Sequence, residues 1–152
     1  RIFSIQHETI YITAIKILKD NIFFGIGPKM FREICNENKY QTLTPLDGSI
    51  NGCQTHPHNS YIQLLVETGI FGFLPLFLIF IFLSFNLLKH LIFRFFYKKT
   101  FFSDIEILIL IAIFINFWPF VPNGNFFNNW LSSMYYLPIA LWYGVKSIKN
   151  DI

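Results

Sequence analysis

Residues 53–72 read CQTHPHNSYIQLLVETGIFG, and the rest of the chain is organised around this stretch. Ser60 and Gln63 stand in the S-x-x-Q relation of a capping box, which predicts a short helix starting at Tyr61. Gly69 is placed to supply the left-handed residue that ends such a helix. On it Tyr61, Leu64, Leu65 and Thr68 share one face, while Gln63 and Glu67, four apart, form a narrow polar stripe. His58 then lies just outside the helix start, where free N–H groups point outward and the dipole favours anions over imidazolium. A neutral imidazole can accept a proton, so a base and an anion site can coexist within a few residues. The alternative is a proline-stiffened turn whose histidines only satisfy backbone groups.

Downstream of Glu67 the chain carries no charge until Lys89, a run of about 21 residues that is long enough to cross a bilayer as a helix. Lys89, Arg94, Lys98 and Lys99 form a basic cluster, and a second uncharged run follows Asp104 and Glu106. That run is about 39 residues, nearly 60 Å as one helix and too long for a single crossing. The segment PFVPNGNFFNNW breaks it with Pro119, Pro122 and Asn123-Gly124, flanked by Trp118 and Trp130 as interfacial aromatics. The expectation is therefore an all-α integral membrane protein: a loop region with short amphipathic helices over 1–68, then a transmembrane region over 69–152. Its spans are expected at about 69–88, 104–121 and 129–145. The basic cluster and Lys146 belong in the cytoplasm by the positive-inside rule, which puts the His58 loop and the Asn123 turn in the periplasm.

Composition agrees with a membrane protein, since 53% of the 152 residues are hydrophobic, 20% aromatic and only 14% charged. The net charge of +3 is small, and no nucleic-acid motif interleaves the basic residues. The chain begins at Arg1 without a methionine, which suggests a piece of a longer protein. Residues 1–21 place Ile10, Ala14, Ile17 and Leu18 at helical spacing among charges. They predict an amphipathic helix lying on the membrane surface or against other helices. Gly25, Gly27 and Pro28 then make a turn anchored by Phe23 and Phe24. Residues 29–54 read as an irregular polar loop bracketed by Cys35 and Cys53. On an oxidising side the two can pair, closing about 19 residues and contributing roughly 3 kcal/mol in the entropic account. The competing reading is two buried, reduced thiols.

The run HPHNSYIQLLVETGIFGF at 56–73, preceded by FFGIGPKMF and followed by long apolar segments, resembles the C-terminal part of the O-antigen ligase and polymerase family of bacterial membrane glycosyltransferases. The resemblance extends from Arg1 to about Trp142. It implies a multi-pass inner-membrane enzyme of the cell envelope that takes a glycan from an undecaprenyl diphosphate carrier. The glycan passes to an acceptor hydroxyl, lipid A-core or similar, at the periplasmic face, as in lipopolysaccharide biosynthesis. The resemblance implies inversion at the sugar and no metal or other cofactor. It makes His58 the catalytic base and Arg1 the diphosphate contact. Arg32, in KMFRE, is a second candidate because a guanidinium suits bidentate recognition of phosphate oxygens, and the alternative for each arginine is a solvated surface charge. His56, Asn59 and Glu67 would support them. His56 and His58 also have the look of a metal pair, but no third ligand stands at a persuasive spacing. A polymerase of the same family, or a non-catalytic scaffold or transporter segment, remain the alternatives.

Overall fold

The computed structural model describes residues 3–43 and 51–150. It is all-helical: α1 (Ile5–Asp20), α2 (Phe31–Ile34), α3 (Ser60–Tyr97), α4 (Asp104–Asn116) and α5 (Asn129–Asn150). An isolated bridge joins Leu43 to Asn51. The chain forms two units, Arg1–Leu76 with Pro119–Asn128, and Phe77–Trp118 with Asn129–Ile152. The sequence predicts one division, between 68 and 69. The main difference is that the loop 119–128 belongs with the histidine region.

Ser4 caps α1 by accepting from the His7 N–H. The predicted apolar face is covered by protein: Ile10, Ala14 and Ile17 are fully buried against Phe31, Cys35, Tyr40 and Val66. Residues 29–43 are less irregular than their polar composition suggests. α2 makes one turn, and Tyr40 donates its hydroxyl to Asp20 Oδ2 at 2.7 Å. A few buried side chains spaced through polar sequence hold this segment, a pattern that averaged composition hides. Cys35 and Cys53 are joined by a disulfide beside this core, with Cα atoms 5.1 Å apart.

α3 is capped one residue earlier than the S-x-x-Q pattern predicts. Asn59 Oδ1 accepts from the Tyr61 and Ile62 N–H groups at 3.0 and 3.1 Å, so the amide side chain takes the role expected of the Ser60 hydroxyl. Gly69 is left-handed, at φ 66°, and breaks α3 where the sequence places a helix end. The reason lies in a close approach. A Cβ on Gly69 would run into the Phe23 carbonyl, and one on Gly25, also left-handed, would run into the Glu67 carbonyl carbon. The turn after α1 thus lies directly on the break, held by Ile26 N–H to Val66 O, Gly27 N–H to Glu67 O and Ile70 N–H to Ile22 O at 2.8–3.0 Å.

Beyond the break α3 is strongly apolar, and among the described residues it is the one helix long and apolar enough to cross a membrane. The expected 104–121 span is shorter than predicted: α4 has 13 residues, about 20 Å at 1.5 Å per residue against about 30 Å of hydrocarbon. Ser103 and Glu106 fix its start with a capping box. Its end tightens where the Trp118 N–H reaches back to Ile115 O, just before Pro119, which disfavours helix in the residue preceding it. α5 covers the third expected span and continues to Asn150, but Asn129, Ser132, Ser133, Tyr135 and Tyr136 dilute its apolar character. Within this unit Phe80 stacks on Phe114 and Phe117 on Tyr135, each at 5.4 Å, and Asn116 Nδ2 donates to Met134 O.

Candidate active site

Buried Pro57 separates the two histidines of the motif, and His58 itself is left-handed at φ 55°. Such a conformation is uncommon for a residue with a Cβ and costs on the order of 1–3 kcal/mol unless neighbours enforce it. The Asn123 N–H supplies one restraint, donating to the His58 carbonyl at 2.9 Å from the loop between α4 and α5. The ring then sits 4.1 Å from that of His56 and 5.7 Å, edge-on, from that of His7. Burial lowers the His58 pKa, and the neighbouring His56 and His7 lower it further. His56 is also lowered by burial, against an opposing influence from the Asn123 backbone. Its Nδ1 meets the Thr55 hydroxyl at 3.0 Å, while buried Nε2 lacks a partner of hydrogen-bonding geometry. No described residue hydrogen-bonds a ring nitrogen of His58. Both motif histidines are therefore biased neutral, and His58 is the one with neither ring nitrogen hydrogen-bonded among the described residues.

The start of α3 differs from the expected anion site. Asn59 Oδ1 occupies the N–H groups of Tyr61 and Ile62, and the Gln63 N–H bonds to Asn59 O, so these donors are not open to a diphosphate. The neutral state of His58 thus rests on burial and on the other histidines.

Gln63 organises the opposite side. It is fully buried, and its Nε2 donates to Glu67 Oε2 and to Asn125 Oδ1, both at 2.9 Å. Its Oε1 accepts from the Phe126 N–H at 2.9 Å. Asn59 Nδ2 adds a bond to Pro119 O at 2.7 Å, and Asn125 Oδ1 caps the Phe127 N–H. Four described hydrogen bonds thus fasten the 119–128 loop to His58 and to the start of the helix that follows it.

The remaining predicted residues are placed less centrally. Arg1 lies outside the described residues. Arg32 is exposed and pairs with its neighbour Glu33 at 3.2 Å. Glu67 is fully buried; its carboxylate accepts from the Phe31 N–H and from Gln63, and no histidine is among its described partners. It ties α2 to α3. His90 is buried in the other unit, against Phe102. Among the described residues no three of His, Cys, Asp and Glu are arranged to hold a metal ion. Sequence reasoning missed His7, which has no motif around it, and the only cue was its place in the first turn of α1 behind Ser4.

A left-handed histidine with unengaged nitrogens, gathered with two others at a helix start, is the arrangement in the matched region. Residues 6–78 match the family model described as O-antigen ligase. These residues are an O-antigen ligase family domain. No curated protein and no solved structure matches the chain. The ligase-family match contains His7, His56, His58, Asn59, Gln63 and Glu67, whereas the loop that packs on them, 119–128, lies outside it. The ligase family is glycosyltransferase-like, and the long apolar α3 suits a membrane protein.

Proposed function

We propose that the chain is the histidine-bearing part of an inverting, metal-independent glycan transferase, with His58 as its general base. The donor is a glycan on undecaprenyl diphosphate, and the acceptor is a hydroxyl on lipid A-core or a similar saccharide. The histidine loop and the 119–128 loop face the periplasm of an inner-membrane protein that α3 spans. The observation that carries the reading is the His58 ring, whose nitrogens have no described hydrogen bond and whose pKa is lowered by burial and by two neighbouring imidazoles.

In the reaction the acceptor O–H gives its proton to a ring nitrogen of His58 while its oxygen bonds to the anomeric carbon. The bond from that carbon to the diphosphate oxygen breaks on the opposite face, inverting the sugar. Negative charge collects on the departing diphosphate, where Arg1 or Arg32 would stabilise it; Arg32 would exchange Glu33 for the phosphate. Glycan transfer in cells by the full-length protein tests the assignment. His58→Ala and His58→Gln should lower turnover by about two to four orders of magnitude at matched membrane abundance, and His56→Ala far less. Wild-type transfer by His58→Ala would reduce His58 to a turn residue.

A further inference from the structure

The turn between α1 and α2 exposes aromatic surface that the transfer reaction does not use. Phe23 is 62% and Phe24 78% exposed, with Ile22 at 49%, although all three lie in the middle of a hydrogen-bonded segment. That segment is fixed to the point where α3 becomes a continuous apolar helix. The Ile70 N–H donates to Ile22 O at 2.9 Å and the Phe71 N–H to Phe23 O at 3.4 Å. The Phe71 ring, itself 58% exposed, meets Phe24 at 5.3 Å and Phe23 at 6.4 Å. The approach requires glycine at 25 and 69, so the aromatic turn is built onto the helix and does not hang from it.

Folding of this unit leaves the patch uncovered, and its position indicates what covers it. Phe71 belongs both to the patch and to the first turn after the break in α3, among the described residues the one helix suited to a bilayer, so the patch adjoins the apolar part of that helix. Aromatic rings are favoured at the level of lipid headgroups, where their edges meet polar groups and their faces meet hydrocarbon. The charges nearby fit the same partner. Exposed Lys19 and Lys29 flank the turn, which suits anionic headgroups, while the carboxylate of Asp20 is engaged by Tyr40 and Lys39.

We infer that Ile22, Phe23, Phe24 and Phe71 form a lipid-binding seat that inserts into the headgroup and acyl boundary of the bilayer entered by α3. The inference rests on α3 spanning the membrane and is independent of His58 chemistry. The seat would set the height of the histidine unit above the membrane through two glycine contacts, without any further span.

Spin labelling of the whole chain in liposomes containing anionic lipid tests this, with the native cysteine pair left oxidised and unmutated protein as the labelling control. Single cysteines replace Phe24, Glu37 and Ile79, which are all exposed. Oxygen, which concentrates in hydrocarbon, should relax the labels at 24 and 79 more than a water-soluble nickel chelate does, and the order should reverse at 37. An aqueous result at 24 with a hydrocarbon result at 79 overturns the seat while leaving the span intact. Aqueous results at both sites overturn both. Exclusion of both relaxants from position 24, or dipolar broadening there, would assign the patch to a protein partner and also overturn the inference.

Discussion

Replacing Gln63 by leucine keeps most of the side-chain volume and removes every polar bond that this residue makes across the site. Glu67 Oε2 loses a donor, the Phe126 N–H loses its 2.9 Å acceptor, and Asn125 Oδ1 keeps only the Phe127 N–H. Each buried polar group deprived of a partner costs about 1–3 kcal/mol, with the carboxylate at the upper end. Glu67 stays tied to the Phe31 N–H and would hold α2 in place, so the loss falls on the 119–128 loop. We expect its local opening to become easier by about 3 kcal/mol, or roughly a hundredfold. Hydrogen exchange of the full chain in detergent, read by mass spectrometry on peptides over 119–128, measures this directly. Amides in α1 serve as the control, since α1 packs on Phe31 and Val66 and makes no described bond to Gln63. Asn125→Ala should open the same peptide by less, and the double variant by less than the sum, because the two residues share a bond. Unchanged exchange over 119–128 in Gln63→Leu would refute the view that this residue fastens the loop.

Four further outcomes are expected. Because only neutral His58 can take a proton and its pKa lies below the ordinary 6.5, transfer should persist as pH falls through that value and fail only below it. In His7→Ala, which removes one of the influences lowering that pKa, the acid limb should move to higher pH, and an unmoved limb in the pH–rate profile would count against the cluster. The same depressed pKa means that the stability contribution is complete above 6.5 and declines as pH falls below it, since the unfolded ring binds the proton first. Gly69→Ala should destabilise the unit by well over about 1 kcal/mol, through a left-handed Cβ and its collision with the Phe23 carbonyl, whereas Gly144→Ala, with open space around it, should be near neutral. Thermal melts in detergent would show this, and equal melting points for the two would contradict the close approach. Acid-quenched alkylation in cells followed by non-reducing mass spectrometry should find the Cys35 and Cys53 peptides linked, as expected on an oxidising side of the membrane; two freely alkylated thiols would place this loop on a reducing side.

Periodicity and local backbone chemistry are readable along the chain, and they carried the helical reading. The apolar residues of α1, the left-handed break at Gly69, the i, i+4 pairing of Gln63 with Glu67 and the apolar length of α3 all depend on neighbours within a few positions. What depends on groups far apart in sequence was decided only by the tertiary fold. S-x-x-Q allows Ser60 as the cap, but Asn59 wins because its amide can serve the Tyr61 N–H and Pro119 O together, and that second partner lies 60 residues away. Glu67 looks available for chemistry on a helical wheel, yet the turn at 25–31 closes over it and consumes its carboxylate. The uncharged stretch after Asp104 suggests a full span, but hydropathy does not record where Pro119 ends a helix. His7 and Asn123, 116 positions apart in the sequence, flank His58 because α1 and the 119–128 loop pack on the same unit. A histidine's proton affinity depends on solvent exclusion and nearby charge in three dimensions, so the chain alone supplies the imidazole and only the packed structure sets its state.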